Sequence, residues 1–172
     1  MSFFDLISSR HSVRAFKEQK MSNDAIEKIL AAGTGAPSAG NLQSYQIFVV
    51  SKKEDKKRLA VAAHGQDFIE RSSTVFVFCA DPNTSAREYG KRGEDLYCIQ
   101  DATIACSYAQ LAAHSLGFSS VWVGSFIEGE VANTLGLPSG LKAIAMLVVG
   151  IPAEKPEITT RRPLSEITHI MM

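Results

Sequence analysis

The sequence predicts an α+β fold, an α/β sandwich in which helices pack against a central sheet. Helical and β-rich segments follow one another in the order α, α, β, α, β, α, β, α, β, which is typical of mixed folds. One long helical pattern, at about residues 94–116, is rich in alanine and can pack closely against a neighbouring layer. The 172 residues and the absence of a linker indicate a single domain over residues 1–172.

The first elements are two short helices followed by a loop. Ser2 is in position to cap a helix over residues 3–9, and Ser22 to cap a second helix that ends at Gly33. Residues 33–43 are almost entirely small, polar or turn-forming, so they are predicted to form a loop.

The middle of the chain is predicted to contain two strands, at residues 45–50 and 75–80, with a charged helix over residues 53–63 between them. The second strand is continuously apolar, as strands buried on both faces are. The polar stretch at residues 81–93 is interpreted as an exposed excursion.

The last part of the chain begins with the long alanine-rich helix. Its apolar residues surround it on nearly all sides, which predicts a buried helix. A strand at residues 119–124, a short helix at 130–135 and a final strand at 143–149 follow. The tail from Ala153 is polar and is predicted to be extended, with a weakly helical end.

Charge and composition exclude several classes of partner. Lysine plus arginine and aspartate plus glutamate each number 18, so we expect no broad attraction to nucleic acid or to an anionic membrane. No signal-like N-terminus or membrane-length apolar run is present, and Cys79, Cys98 and Cys106 show no C-x-x-C spacing. We therefore expect a cytoplasmic protein with buried thiols. The four histidines are scattered, which predicts no metal site.

The stretch Arg10-His11-Ser12-Val13-Arg14 concentrates groups that can hold an anion. In an extended segment Arg10, Ser12 and Arg14 share one face, and in a helix Arg10 and Arg14 are neighbours. Two adjacent guanidinium groups repel each other, so a bound phosphate or ring oxygen would explain their proximity. A solvated basic turn is the alternative. Arg161 and Arg162 could hold the same anion if the tail returns to this stretch, or they could simply be solvated.

Two further segments have the chemistry of a ring-binding site. Asn41 and Gln43 each offer a donor and an acceptor, as the edge of a pyrimidine-type ring requires, although the loop could be a plain connection. Gly124, which follows Trp122 and Val123, leaves backbone amides open at the end of a strand. An ordinary strand end with core aromatic residues is the alternative there.

These segments occur in the order seen in the nitroreductase family, which the chain resembles over essentially its whole length. The motifs are Arg10-x-Ser12-x-Arg14-x-Phe16, Pro37-Ser38-Ala39-x-Asn41-x-Gln43, the helix at 101–117, Trp122-Val123-Gly124, Gly150-Ile151-Pro152 and Arg161-Arg162-Pro163-Leu164. Members of that family are flavoenzymes that bind FMN at the interface of an intertwined homodimer. They pass reducing equivalents from NADH or NADPH to nitro groups, quinones or similar acceptors. The resemblance also implies a mostly antiparallel central sheet flanked by helices.

The resemblance implies a role for each matched residue. Arg10 and Arg161 would hold the FMN phosphate, with Arg161 favoured over Arg162, and Arg14 would face the pyrimidine edge of the flavin. The loop would come from the partner subunit. The backbone amides of Gly124 and Ser125 would meet the flavin N5 and O4. His11 stands where a second arginine is common. The implied cofactor-binding set is Arg10, His11, Ser12, Arg14, Pro37, Ser38, Ala39, Asn41, Gln43, Val123, Gly124, Ser125, Arg161 and Arg162.

On this interpretation the flavin carries the redox chemistry, Arg14 and Gly124 tune it, and no catalytic side chain or metal is required. NAD(P)H and a small-molecule acceptor would use the same face in turn, which predicts ping-pong kinetics. The alanine-rich helix is the expected dimer contact. The alternatives are a flavin-binding protein with a non-reductase role, a specialised reductive dehalogenase on the same scaffold, and a protein without cofactor whose basic groups bind a protein partner.

Overall fold

The computed structural model describes residues 2–172, which form helices α1–α8 and strands β1–β5. The strands are β1 (Phe16–Lys17), β2 (Tyr45–Val50), β3 (Thr74–Ala80), β4 (Ser119–Val123) and β5 (Lys142–Pro152). The helices are α1 (Phe3–Ser9), α2 (Asn23–Thr34), α3 (Lys53–Ala62), α4 (Phe68–Arg71), α5 (Pro82–Arg92), α6 (Cys98–Ser115), α7 (Glu128–Leu135) and α8 (Leu164–Ile167).

The strands form one sheet whose ladders are all antiparallel. β5 pairs with β3 and with β4 over the same central residues, so these two strands lie on opposite sides of it. β2 pairs with β3 at the outer edge, and β1 pairs with the last residues of β5. The predicted α+β fold with a mostly antiparallel sheet is confirmed.

The core lies on both faces of the sheet, because alternate residues of β3 point to opposite sides. Val75 and Val77 pack in one cluster, which includes Leu59 of α3 and Val131 of α7. Phe76 and Phe78 pack in the other cluster, which includes Ile29 of α2 and Ala105 and Ala109 of α6. Every residue of β3 is buried, as its continuous apolar sequence predicted.

The small residues of α6 serve packing within the chain. A Cβ atom placed on Gly33 of α2 would lie 3.3 Å from the Ala105 carbonyl oxygen and 3.5 Å from the Ala109 Cβ, so the two helices are in close contact. The outer side of α6 leaves Ile99 and Tyr108 exposed. Within a single chain the predicted buried helix is therefore covered on one side and exposed on the other.

The stretch at residues 81–93, interpreted as an exposed excursion, is mostly exposed or half-buried, but it forms helix α5. Asp81 caps α5 by accepting a hydrogen bond from the Thr84 amide at 3.1 Å, and Pro82 occupies the first turn. A π-helical turn, Gly93–Tyr97, then leads into α6. Gly93 makes this path possible, because a Cβ there would lie 2.4 Å from the Ser85 carbonyl oxygen.

The two ends of the chain make few contacts with the body. Helix α1 has no buried residue, although its predicted limits and its Ser2 cap are confirmed. Residues 153–172 are all exposed, and their apolar side chains include Ile158, Leu164 and Ile170. Exposed apolar surface of this extent is typical of a surface that another molecule covers.

The three cysteines are free and buried, as the sequence predicted. Burial raises the pKa of Cys79 to about 12, and burial also raises the pKa of Cys106. Between residues 2 and 172, no helix is both long and apolar enough to cross a membrane.

Candidate functional site

The basic stretch that follows α1 is extended and runs beside β4. Ser12 forms a parallel bridge with Ser120, and the Val13 amide donates to the Ser120 carbonyl at 3.1 Å. Val13 is buried in the core, whereas the Arg14 side chain is exposed. The segment therefore adopts the extended one of the two geometries that its sequence allowed.

The start of the tail is attached to this same stretch. One carboxylate oxygen of Glu154 accepts hydrogen bonds from the amides of Arg14, at 2.6 Å, and Ala15, at 3.1 Å. The Ala153 amide also donates to the Ala15 carbonyl at 2.8 Å. These contacts fix the point at which the tail leaves the sheet, so that the following residues pass close to the end of α1.

Basic groups from the extended stretch and the tail meet beside the end of α1. His11 and Arg161 line a cavity of about 440 Å³ together with Ile7, Ser8 and Thr159. Arg10 lies close by: burial lowers the pKa of its guanidinium, and the nearby charge of Arg161 lowers this pKa further. We refer to Arg10, His11 and Arg161 as the basic cluster.

The basic cluster fits a phosphate group. The Nδ1 atom of His11 is buried and has no hydrogen-bond partner within residues 2–172. A buried polar atom without a partner is costly, and an anion bound here would accept a hydrogen bond from it and offset the repulsion between the arginines. Arg162 is engaged elsewhere, because its Nε donates to the Glu166 carboxylate at 3.1 Å.

The buried carboxylate of Asp101 in α6 anchors the loop at residues 37–43. Its Oδ1 accepts from the Ala39 amide at 2.9 Å, and its Oδ2 accepts from the Ser44 amide at 3.3 Å. Asp101 is only 2% exposed. The sequence pattern predicted that this residue lies in the long helix, but it gave no indication of this role.

The loop has an unusual backbone conformation. Gly40, Asn41 and Gln43 have φ angles of 55°, 57° and 51°, in the left-handed region that non-glycine residues rarely adopt. The Gln43 amide donates to Ser38 Oγ at 3.0 Å, and its side-chain amide reaches Asn41 Oδ1 at 3.3 Å. Such strain persists where the surroundings determine the conformation, often at a ligand site.

The end of β4 provides a third predicted segment. Val123 is buried, and Gly124 and Ser125 beyond it are exposed. Neither the Gly124 amide nor the Ser125 amide has a hydrogen-bond partner within residues 2–172. Both amides are therefore free to donate to a ligand.

The loop and the end of β4 are not brought together within one chain. The loop precedes β2, at the opposite edge of the sheet from β4, with β5 and β3 between them. Three strand spacings separate these edges by about 14 Å. A single chain therefore presents the basic cluster beside β4 but holds the loop elsewhere.

Comparison with known proteins identifies the family. Residues 7–81 and 61–151 match the family model described as the nitroreductase family. The chain belongs to the nitroreductase family. This confirms the family that the sequence motifs predicted, and with it the prediction of an oxidoreductase enzyme.

Two relatives of this nitroreductase-family chain have names that describe an enzymatic activity. A protein of Archaeoglobus fulgidus whose name includes NAD(P)H nitroreductase is 32% identical over 156 residues, which cover 88% of this chain and 86% of that protein. A Bacillus subtilis protein named FMN reductase [NAD(P)H] is 28% identical over 181 residues, covering 95% of this chain and 71% of its own length.

Solved structures agree with this nitroreductase fold. The NfrA2 structure from B. megaterium superimposes with a TM-score of 0.89 at 28% identity, over 96% of this chain and 72% of that chain. The NADPH:FMN oxidoreductase of Vibrio harveyi, solved in complex with NAD⁺, gives 0.88 at 26% identity, over 98% of this chain and 76% of that one.

The nitroreductase fold brings some of the predicted site residues together and leaves others apart. Arg10, His11 and Arg161 come together, and Ser12 lies next to them against β4. Arg14 lies at the tail anchor and does not line the cavity, and Arg162 pairs with Glu166. The loop residues Pro37, Ser38 and Ala39 line a separate cavity of about 470 Å³ with the first turns of α6.

One further residue near the basic cluster was not identified from the sequence. His114 lies in the last turn of α6, with its Nε2 atom 2.9 Å from Ser9 Oγ at the end of α1. A histidine in the last turn of a helix usually interacts with the helix carbonyls, so its spacing gave no sign of a site. No group of three or more potential ligands in residues 2–172 is arranged to hold a metal ion.

Proposed function

We propose that this chain is an FMN-dependent oxidoreductase that transfers hydride from NAD(P)H to nitro, quinone or similar acceptors. The observation that carries the proposal is the basic cluster, in which the buried His11 Nδ1 lacks a hydrogen-bond partner and two guanidinium groups lie close together. The relatives named as FMN reductases and as an NADPH:FMN oxidoreductase support the choice of cofactor.

In this proposal the basic cluster binds the phosphate of FMN. Arg10 and Arg161 donate charge-assisted hydrogen bonds to the phosphate oxygens, which are stronger than bonds between neutral groups. His11 donates from Nδ1, and Ser12 supports the same end of the cofactor. Because these groups come from both ends of the chain, the tail must be in place before the phosphate can bind.

The other end of the cofactor lies, in this proposal, toward Arg14 and the end of β4. When bound, FMN accepts hydride from NAD(P)H and passes it to the acceptor. The guanidinium of Arg14 stabilises negative charge that develops at the pyrimidine edge. The free amides of Gly124 and Ser125, next to Val123, orient the ring by donating to its edge. Donor and acceptor would then use the site in turn, which would give ping-pong kinetics.

We also propose that the site is completed by a second copy of the chain in an intertwined homodimer. The loop residues Pro37, Ser38, Ala39, Asn41 and Gln43 are about 14 Å across the sheet from β4, so the loop of a partner would have to supply these contacts. The exposed apolar residues of α1, of the outer side of α6 and of the tail offer the surface for such a partner. The alanines of α6 are already used within the chain.

Two further predictions remain proposals. Residues 1–172 act as one domain, which the continuous sheet and the two core clusters support. The protein works in the cytoplasm, which the free and buried cysteines support.

The proposed function predicts the visible spectrum of the protein. Protein mixed with FMN and freed of excess cofactor should show flavin absorption bands at one FMN per chain. NADH or NADPH should bleach these bands in the absence of oxygen, and a nitroaromatic compound or a quinone should restore them. Stoichiometric FMN without bleaching would indicate a flavin-binding protein without reductase activity. A colourless protein that ignores added FMN would contradict the proposal.

The neighbouring arginines of the tail provide a matched pair of variants. Arg161→Ala should weaken FMN binding by about 10- to 100-fold, because it removes a charge-assisted hydrogen bond worth roughly 1.5–3 kcal/mol. Arg162→Ala should change FMN affinity by less than about threefold, since its partner is the exposed Glu166. Titration of flavin fluorescence with each variant measures both values. Equal losses in the two variants would contradict the assignment of Arg161 to the phosphate.

A further inference from the structure

His114 connects the end of α6 to Ser9, the residue that precedes Arg10. The Ser9 hydroxyl donates to the Asp5 carbonyl at 2.6 Å. Its oxygen is therefore left as an acceptor for an N–H group on His114 Nε2, which lies 2.9 Å away. With the N–H on Nε2, Nδ1 is the atom to which a further proton can add.

The charges around His114 oppose that further proton. Burial lowers the pKa of His114, hydrogen bonding with the Phe118 backbone raises it, and the nearby guanidinium of Arg10 and ring of His11 lower it further. The groups that act on the ring thus come from the end of α1 and from the extended stretch, and Arg161 of the tail in turn acts on Arg10. Among residues 2–172, no carboxylate contributes to this shift.

A bound phosphate would oppose the effect of these groups on the pKa of His114. Two negative charges placed among Arg10, His11 and Arg161 would compensate the cations that now disfavour a charged imidazole at His114. We propose that His114 takes up a proton from solvent onto Nδ1 when phosphate binds at the basic cluster, so that it strengthens cofactor binding as the pH falls. The inference rests on the proposed function, because the phosphate is that of FMN.

The direction and the size of the effect follow from linkage. A group that gains a proton on ligand binding makes the ligand bind more tightly at lower pH, over the range between its pKa in the free and in the bound protein. A rise of one pKa unit on binding corresponds to about a tenfold gain in affinity. His114 does not touch the phosphate in this proposal; it is a positioning residue that acts through Ser9 and through its charge.

The test compares the wild-type chain with His114→Gln. Glutamine can place an amide N–H near the position of Nε2 and keep the contact with Ser9, but it cannot gain a proton. FMN dissociation constants measured by fluorescence between about pH 5.5 and pH 8 should agree at the upper end, and the variant should bind roughly five- to tenfold more weakly at the lower end. The titration of the FMN phosphate itself affects both proteins and cancels in the ratio.

Calorimetry provides a second measurement. FMN binding near neutral pH, measured in two buffers with different ionisation enthalpies, should show a larger proton uptake for the wild type than for the variant. A constant affinity ratio across the pH range, with equal proton uptake, would overturn the inference and leave the proposed function standing. A general weakening at every pH would show a structural role only, and would also overturn it. If neither protein bound FMN at any pH, the proposed function and this inference would both fail.

Discussion

A chain truncated after Lys155 is expected to fold but to lose both FMN binding and dimer formation. The buried core ends at Val149, and residues 153–172 are all exposed, so the truncation removes no core packing. It does remove Arg161 from the basic cluster and the apolar residues of the tail, while Glu154 and its bonds to the extended stretch remain. Circular dichroism, light scattering and the flavin spectrum measure fold, mass and cofactor separately.

Two full-length variants serve as controls for the truncation. Arg161→Ala should weaken FMN binding and remain dimeric, because it changes only the phosphate site. Replacing Ile158 and Leu164 together with serine should weaken the dimer while leaving the arginines in place. A truncated chain that remained a dimer and kept its flavin would contradict the proposal that the tail completes the site.

Asp101→Ala is expected to destabilise the chain by about 2–4 kcal/mol and to abolish FMN binding at micromolar cofactor. The substitution leaves the amides of Ala39 and Ser44 without their acceptor, and each buried unpaired donor costs roughly 1–3 kcal/mol. The loop between them holds three residues in left-handed conformations, so it would relax once its anchor is lost. The flavin contacts proposed for the loop would then be lost with it.

Urea unfolding and FMN titration measure the two effects of Asp101→Ala. Asp24→Ala is the matched control, since Asp24 forms an exposed pair with Lys28 at 2.8 Å and should change stability by no more than about 0.5 kcal/mol. Asp101→Asn keeps the volume but can accept at only one of the two positions, so its stability should lie between those of the wild type and the alanine variant. An alanine variant as stable as the control would contradict the role given to Asp101.

The sequence predicted those elements whose signals are local. The limits of α1 and β2 were predicted correctly, because a serine cap marks the first and a run of β-branched and aromatic residues marks the second. Helix α5 was missed because its residues are polar, although Asp81-Pro82 is a start signal for a helix. The two-residue strand β1 exists only through its pairing with the end of β5, which no local pattern reveals.

The candidate site depended still more on contacts between distant parts of the chain. Arg10 and Arg161 were proposed from the sequence as phosphate ligands, but only the attachment of the tail through Glu154 shows how they come together. Asp101 and His114 act through contacts with residues 57–105 positions away. No regular pattern in the sequence marks such distant contacts, so the roles of these two residues could be found only in the folded chain.

The burial of all three cysteines has a consequence for the working life of the enzyme. Peroxide and related oxidants attack the thiolate form of cysteine. With a pKa of about 12, Cys79 is almost entirely protonated at neutral pH, and Cys106 is shifted in the same direction. Both thiols are therefore expected to react slowly with oxidants.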